Sequence, residues 1–164
     1  MQDFSKFRLR VNIKSTIKDV YRAWATTAGL ESWFLSKADF KSDKGLTREP
    51  SDFIQPSDTY VWNWFGHSDD VHEKGTVLKA NGVDTFAFTF SLGCPVSISI
   101  FRDGDEIICE LVESNLPTED GKGLQHFVGD SRGWIFYLTN LKSVLEGGLD
   151  LRNKNEALKN VITA

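Results

Sequence analysis

The chain has 164 residues, of which 40% are hydrophobic, and this length corresponds to about one domain. Its 19 basic and 23 acidic residues leave a net charge of -4, which disfavours binding to nucleic acid. Cys94 and Cys109 are too few for a disulfide framework or a structural zinc site. The first residues lack the pattern of a signal peptide, so we expect no export, and no apolar run reaches the roughly 18 residues that a membrane span needs. We therefore expect a cytoplasmic protein without a membrane span.

The N-terminal pattern predicts a strand followed by two short helices. Apolar and polar residues alternate over residues 7–13, as in a strand with one buried face. Thr16 and Asp19 have the spacing of a helix capping box, and Gly29 is expected to end the helix that follows. A second short helix is expected around Trp33.

The middle of the chain predicts an antiparallel sheet. Residues 41–56 are polar and rich in turn formers, so we expect mostly loop there. About five strands follow over residues 60–113, where apolar residues recur with a period of two. The Asn-Gly pair at 81–82 and the Asp-Gly pair at 103–104 indicate tight hairpin turns.

The C-terminal part predicts one long amphipathic helix. A flexible segment over residues 117–122 precedes it, and the Gly-Gly pair at 147–148 is expected to end it. We expect an ordered core of about residues 5–148 and a polar tail over 149–164. The apolar stripe of the helix has the spacing i, i+4, i+7 and i+11 and comprises Trp134, Leu138, Leu141 and Leu145.

This order of strands and helices indicates an α+β fold, and five segments of the sequence carry a resemblance to a known family. These are VYRAWATTAGLESWF at 20–34, YVWNW at 60–64, EKGTV at 73–77, FAFTF at 86–90 and GWIFYLTNLKSVLEGGLDLR at 133–152. The chain resembles the START-like, or SRPBCC, superfamily that includes the birch pollen allergen. It is most similar there to the family homologous to the C-terminal domain of the activator of the heat-shock-protein-90 ATPase.

The resemblance implies a single helix-grip domain over residues 1–164. In this fold a curved antiparallel sheet of six to seven strands wraps around a long C-terminal helix, with two short helices after the first strand. Related domains hold apolar or amphipathic ligands between sheet and helix. The chain has 12 Phe and 5 Trp, rings that are expected either to line such a cavity or to fill it.

We predict a ligand site on the face where the sheet meets the long helix. His126, which is expected in the loop before the helix, is included as a polar contact at the mouth. Packing within the loop and acid-base catalysis are the alternatives for this side chain. The predicted ligand-binding residues are Trp24, Trp62, Trp64, Phe86, Phe88, Phe90, Ile98, Cys109, His126, Trp134, Leu138 and Leu141.

Other chemical motifs are weak. The segment from His67 to Glu73 has metal-binding residue types, but its spacing fits a solvated hairpin connection better than a metal site. The Gly-Lys-Gly sequence at 121–123 lacks the spacing of a phosphate loop. Trp62 and Trp64 can stack on a planar ligand or belong to the core. We therefore predict neither a metal nor a cofactor.

Three functions follow from these observations. The first is a domain that binds a small hydrophobic or amphipathic molecule, such as a lipid, without catalysis. The second, implied by the resemblance alone, is an interaction module for a heat-shock chaperone ATPase in the stress response. The third is a cyclase or hydratase, which needs buried polar pairs where the predicted inward face is apolar. Both a monomer and a homodimer are compatible with the sequence.

Overall fold

The computed structural model describes residues 3–119, 123–158 and 161–162. Within these ranges the chain forms seven strands and three helices. In chain order they are β1 (Phe7–Ile13), α1 (Ile17–Ala25), α2 (Thr27–Trp33), β2 (Lys37–Lys41), β3 (Thr59–Asn63), β4 (Glu73–Ala80), β5 (Thr85–Phe90), β6 (Cys94–Asp103), β7 (Glu106–Glu113) and α3 (Gly123–Leu145).

The strands form one antiparallel sheet in the order β1-β7-β6-β5-β4-β3-β2. Strand β1 closes one edge by pairing with β7, where Phe7 lies opposite Glu113. The curved sheet holds α3 on its inner face, with α1 and α2 beside it, and the core lies between these layers. The predicted helix-grip α+β fold is confirmed. Among the described residues, no helix is both long and apolar enough to cross a membrane.

The two short helices meet at a shared threonine. Asp19 N–H donates to the Thr16 hydroxyl at 3.1 Å, so the predicted cap of α1 is confirmed. Gly29, however, does not end α1 but lies inside α2. The Thr26 hydroxyl receives a hydrogen bond from Gly29 N–H at 3.0 Å and donates to Arg22 C=O at 2.8 Å. A Cβ on Gly29 would lie 2.2 Å from that carbonyl oxygen, so glycine permits the close approach of the two helices.

The edge strand β2 precedes the segment that the sequence predicts as loop. It contains only two buried residues, Ala38 and Phe40, which is too short an alternation to stand out in the sequence.

The connection to β3 ends in a buried ion pair. Arg48 Nε and Nη2 lie 2.8 Å from the two carboxylate oxygens of Asp58, which is 1% exposed.

The segment expected as a polar tail begins with an anchored residue. Arg152 is 7% exposed, and its guanidinium donates to the carbonyls of Leu35, Glu31 and Ser32 at 2.8 to 3.0 Å. These carbonyls lie at the C-terminal end of α2, where a helix leaves acceptors without partners. Asp150 holds the guanidinium at 2.7 Å, so this segment completes the end of α2.

The start of α3 differs from the predicted loop as well. Gly123, the last residue of the Gly-Lys-Gly sequence, is the first residue of α3, and residues 121 and 122 lie outside the described ranges. His126 therefore lies in the first turns of α3 and not in a connecting loop. His67 and His72 are exposed on the connection between β3 and β4.

Candidate ligand-binding site

Most of the predicted site residues form the packed core. Trp24 contacts Trp33 with ring centroids 4.6 Å apart, and Trp62 stacks on Tyr60 at 3.9 Å. The rings thus occupy most of the space between sheet and helix. The predicted site residues with 3% exposure or less, other than Trp134, are Trp24, Trp62, Phe86, Phe88, Ile98, Cys109, Leu138 and Leu141.

A cavity of about 150 Å³ remains where the core meets the N-terminal half of α3. Three predicted site residues line it: Trp64 after β3, Phe90 at the end of β5, and Trp134 of α3. The complete lining consists of Phe34, Trp64, Phe90, Gly129, Asp130, Gly133, Trp134 and Tyr137.

The walls of this cavity are aromatic rings that support one another. Phe34, which caps the C-terminus of α2, lies 4.7 Å from Tyr137 and 5.1 Å from Trp134 between ring centroids. Phe90 lies 5.1 Å from Trp134, and Trp64 lies 5.9 Å from Phe34. Edge-to-face and offset ring pairs of this kind contribute about 0.5–1.5 kcal/mol each beyond burial. The walls are therefore stable without a ligand.

Two glycines form the helical side of the cavity. Gly129 and Gly133 are one turn apart on α3, and a Cβ on either would find no atom within 4 Å. Glycine inside a helix costs about 0.5–1 kcal/mol relative to alanine. Neither packing nor backbone conformation requires glycine here; both residues line the cavity, and Gly129 is also exposed at the surface of α3.

A pair of carboxyl groups lies at the polar end of the cavity. Glu113, at the end of β7, is fully buried, and its Oε2 accepts a hydrogen bond from Trp134 Nε1 at 2.9 Å. Among the described residues, no backbone, hydroxyl or amide donor reaches Glu113 Oε1 or Asp130 Oδ2. The two side chains are close enough to hydrogen-bond to each other, and each affects the pKa of the other. Two carboxyl groups can do so only when one of them is protonated.

The proton belongs to Glu113. Burial raises the pKa of Glu113 to about 8, and the nearby charge of Asp130 adds to this effect. Burial also raises the pKa of Asp130, but a hydrogen bond with Ser91 and the nearby His126 oppose that shift. The raised pKa of Glu113 therefore makes Glu113 the donor of the pair at neutral pH and Asp130, which lines the cavity, the acceptor.

A third carboxyl group faces the same space. Glu73 is the residue opposite Trp62 in the pairing of β3 with β4, so both side chains point to the inner face of the sheet. Burial, followed by the charge of Asp130, raises the pKa of Glu73. The end of the cavity at α3 is therefore acidic.

Signals for the missed residues were present in the sequence. Glu113 continues the alternation of Ile107, Cys109 and Leu111, all of which are buried. Asp130 lies one helical turn before Trp134, on the same face of α3. Both are charged, and a charged residue on an apolar face is usually interpreted as the end of that face. The position of the Phe34 ring could not be predicted from the sequence, because it depends on the angle at which α2 ends.

A second depression lies outside the inner face. A groove of about 520 Å³ crosses β2, β3 and β4, and its lining includes Asp39, Lys41 and Lys74. Because two lysines line this groove and it is open to solvent, it resembles ordinary solvated surface. None of the three carboxyl groups with raised pKa values, those of Glu73, Glu113 and Asp130, lines this groove.

Comparisons with known proteins support the fold. No family model and no curated protein matches the chain. Among solved structures, protein SSP2350 from Staphylococcus saprophyticus has a TM-score of 0.69 at 16% identity, covering 90% of this chain and 96% of that one. The Aha1 dimer from Colwellia psychrerythraea has a TM-score of 0.66 at 17% identity, covering 87% and 97%.

DynU16, a putative protein in the dynemicin biosynthetic locus, has a TM-score of 0.67 at 17% identity. The match covers 92% of this chain and 50% of DynU16, so the chain corresponds to half of that protein. At such low sequence identity, a shared fold does not show a shared function. These likenesses, together with the sheet order and α3, show that the chain adopts the helix-grip α+β fold.

Proposed function

We propose that the chain binds a small amphipathic molecule, about one aromatic ring in size, in the cavity between Trp64, Phe90 and α3. The observation that carries this proposal is the cavity of about 150 Å³ that five aromatic residues line beside Asp130. The helix keeps two glycines where alanine would fit and would stabilise it. A binding site explains why this space is left unfilled.

The size of the cavity limits the ligand. Its volume is about 150 Å³, and an apolar cavity of roughly that size in another protein binds benzene. A lipid with a long acyl chain would need the space that Trp24, Trp62 and Phe88 occupy. The proposed ligand is therefore smaller than the lipids implied by the family resemblance.

The lining also determines the chemical character of the ligand. Ring carbons form most of the walls, while the carboxyl group of Asp130 is the polar contact at one end. A ligand with an apolar body and one polar group matches this distribution, because few polar groups in an apolar pocket fix orientation.

An NMR titration with benzyl alcohol tests the proposal. We expect saturable shifts of the indole N–H signals of Trp64 and Trp134, which line the cavity. Gly133→Leu should abolish these shifts, because its side chain would occupy the space. Thr139→Leu, an exposed position on α3, is the matched control and should keep them. Unchanged binding in a folded Gly133→Leu variant would refute the placement.

A second candidate function is acid-base catalysis. A cyclase or hydratase needs buried polar groups, and Glu113 with Asp130 is such a pair: one acid holding a proton beside one ionised carboxylate. This function requires the same cavity. Turnover of a bound compound that disappears in Asp130→Asn would support it.

The third candidate, interaction with a chaperone ATPase, depends on the likeness in fold to the Aha1 dimer. Its test is the ATP turnover of a purified chaperone of the heat-shock-protein-90 class with and without the chain. Unaltered turnover at saturating concentration would argue against it.

A further inference from the structure

We propose that the ligand of this cavity is a small organic cation, an ammonium group on an apolar body, held by Asp130 and by the surrounding ring faces. This inference rests on the proposed function, because it names the ligand class of the same cavity. It also assigns a role to the one charged residue among the lining residues.

The first argument is the charge at the polar end. Glu113 is fully buried and its Oε1 receives no hydrogen bond from a donor other than a carboxyl group among the described residues. It interacts with Asp130, which is the member of the pair that lines the cavity. Glu73 adds a third carboxyl group on the same side. Three neighbouring carboxyl groups attract a cation, and a bound cation reduces the repulsion among them.

The second argument is the composition of the walls. Five of the lining residues are aromatic, namely Phe34, Trp64, Phe90, Trp134 and Tyr137. The face of an aromatic ring attracts a cation within about 6 Å of its centroid, most strongly for tryptophan, and rings grouped around a cavity recognise ammonium ligands in this way. The carboxylate and the rings therefore favour the same class of ligand.

The positive groups near the site do not cancel this preference. His126 lies one turn before Asp130 on α3 and lowers its pKa, but it is not among the residues that line the cavity. Arg152 affects the pKa of Tyr137, but it is paired with Asp150 at 2.7 Å. An anionic ligand would meet Glu73 and Asp130, whereas a cation would be attracted by both carboxyl groups.

Two probes of nearly equal shape test the inference. Benzylammonium and benzyl alcohol differ by the replacement of a charged ammonium group with a neutral hydroxyl. We expect the dissociation constant of benzylammonium at pH 7 to be about tenfold lower, which corresponds to roughly 1.4 kcal/mol and lies within the range for cation–π contacts in a desolvated site. The readout is again the indole N–H signals of Trp64 and Trp134.

Two variants distinguish the effect of the Asp130 carboxylate from the effect of the net charge of the chain. In Asp130→Asn the preference for benzylammonium should fall below the wild-type value, because the carboxylate is removed while the ring faces remain. Asp105→Asn removes the same charge at an exposed hairpin turn, and its ratio should stay at the wild-type value. Loss of the preference in Asp105→Asn as well would overturn the role of Asp130.

The outcomes also separate the two proposals. Equal or tighter binding of benzyl alcohol to the wild-type chain overturns the inference and leaves the cavity as a binding site for neutral molecules. Binding of neither probe overturns the proposed function and the inference together. This comparison uses the unmodified chain, so it holds even if Asp130→Asn does not fold.

Discussion

Replacing Glu113 by glutamine should remove a pH dependence of stability. The pKa of Glu113 rises from 4.5 in the unfolded chain to about 8 in the folded one. A raised pKa means that the stabilising contribution is complete below pH 4.5 and is lost as pH rises toward 8. The steepest slope for one such group is about 1.4 kcal/mol per pH unit. From pH 5 to pH 7 the free energy of unfolding should therefore fall by about 2 kcal/mol.

Glutamine has the shape of the protonated side chain. Its amide N–H can donate to Asp130, and its carbonyl oxygen can accept from Trp134 Nε1, as Glu113 Oε2 does at 2.9 Å. The variant should thus keep both contacts without titrating. Relative to the wild-type chain, it should gain about 2 kcal/mol between pH 5 and pH 7.

Urea denaturation followed by tryptophan fluorescence at pH 5, 6 and 7 measures this difference. Glu106→Gln is the control, because Glu106 lies on β7 but points to the outer face, opposite to Glu113. The control should keep the wild-type slope. The same slope in Glu113→Gln and in the wild-type chain would refute the assignment of the proton to Glu113.

Three further predictions concern stability and reactivity. Gly129→Ala and Gly133→Ala should each raise the free energy of unfolding by about 0.5–1 kcal/mol, because the added Cβ meets no atom within 4 Å; a loss of stability in urea denaturation would contradict the open space. Arg152→Ala should lower the unfolding free energy by about 3 kcal/mol, since it leaves the carbonyls of Leu35, Glu31 and Ser32 without their donor; a thermal melting temperature equal to wild type would contradict this anchor. Cys109 should not react with a thiol reagent in the native state, because it is fully buried and burial raises its pKa to about 12; labelling at the same rate with and without urea would show otherwise.

The strands and the long helix could be predicted from the sequence because they depend on local periodicity. Alternation over a strand determines which side chains share a face, and Phe86 and Phe88 are buried as this rule requires. The stripe of Trp134, Leu138 and Leu141 is buried for the same reason in α3. The same rules place Glu113 and Asp130 on the inner faces of β7 and α3, although charged residues are ordinarily expected to point outward.

Two parts of the fold required contacts between distant segments. Arg152 anchors its segment by hydrogen bonds to Glu31 and Ser32, about 120 positions earlier, and a polar segment gives no local signal of such burial. Strand β2 has two inward residues and exists because it pairs with β3. Local sequence cannot reveal a partner that only folding brings close.

The candidate site shows the same division. Alternation along the strands and the apolar stripe of α3 are enough to predict that rings face the space between sheet and helix. Whether those rings line a cavity or fill it depends on the angles between α2, α3 and the sheet, which are set when the chain folds. Phe34 and Trp64 close the space, while Gly129 and Gly133 leave about 150 Å³ of it open beside Asp130. Packing in three dimensions therefore decided the size and charge of the site, because volume and burial are sums over residues that are remote in the chain.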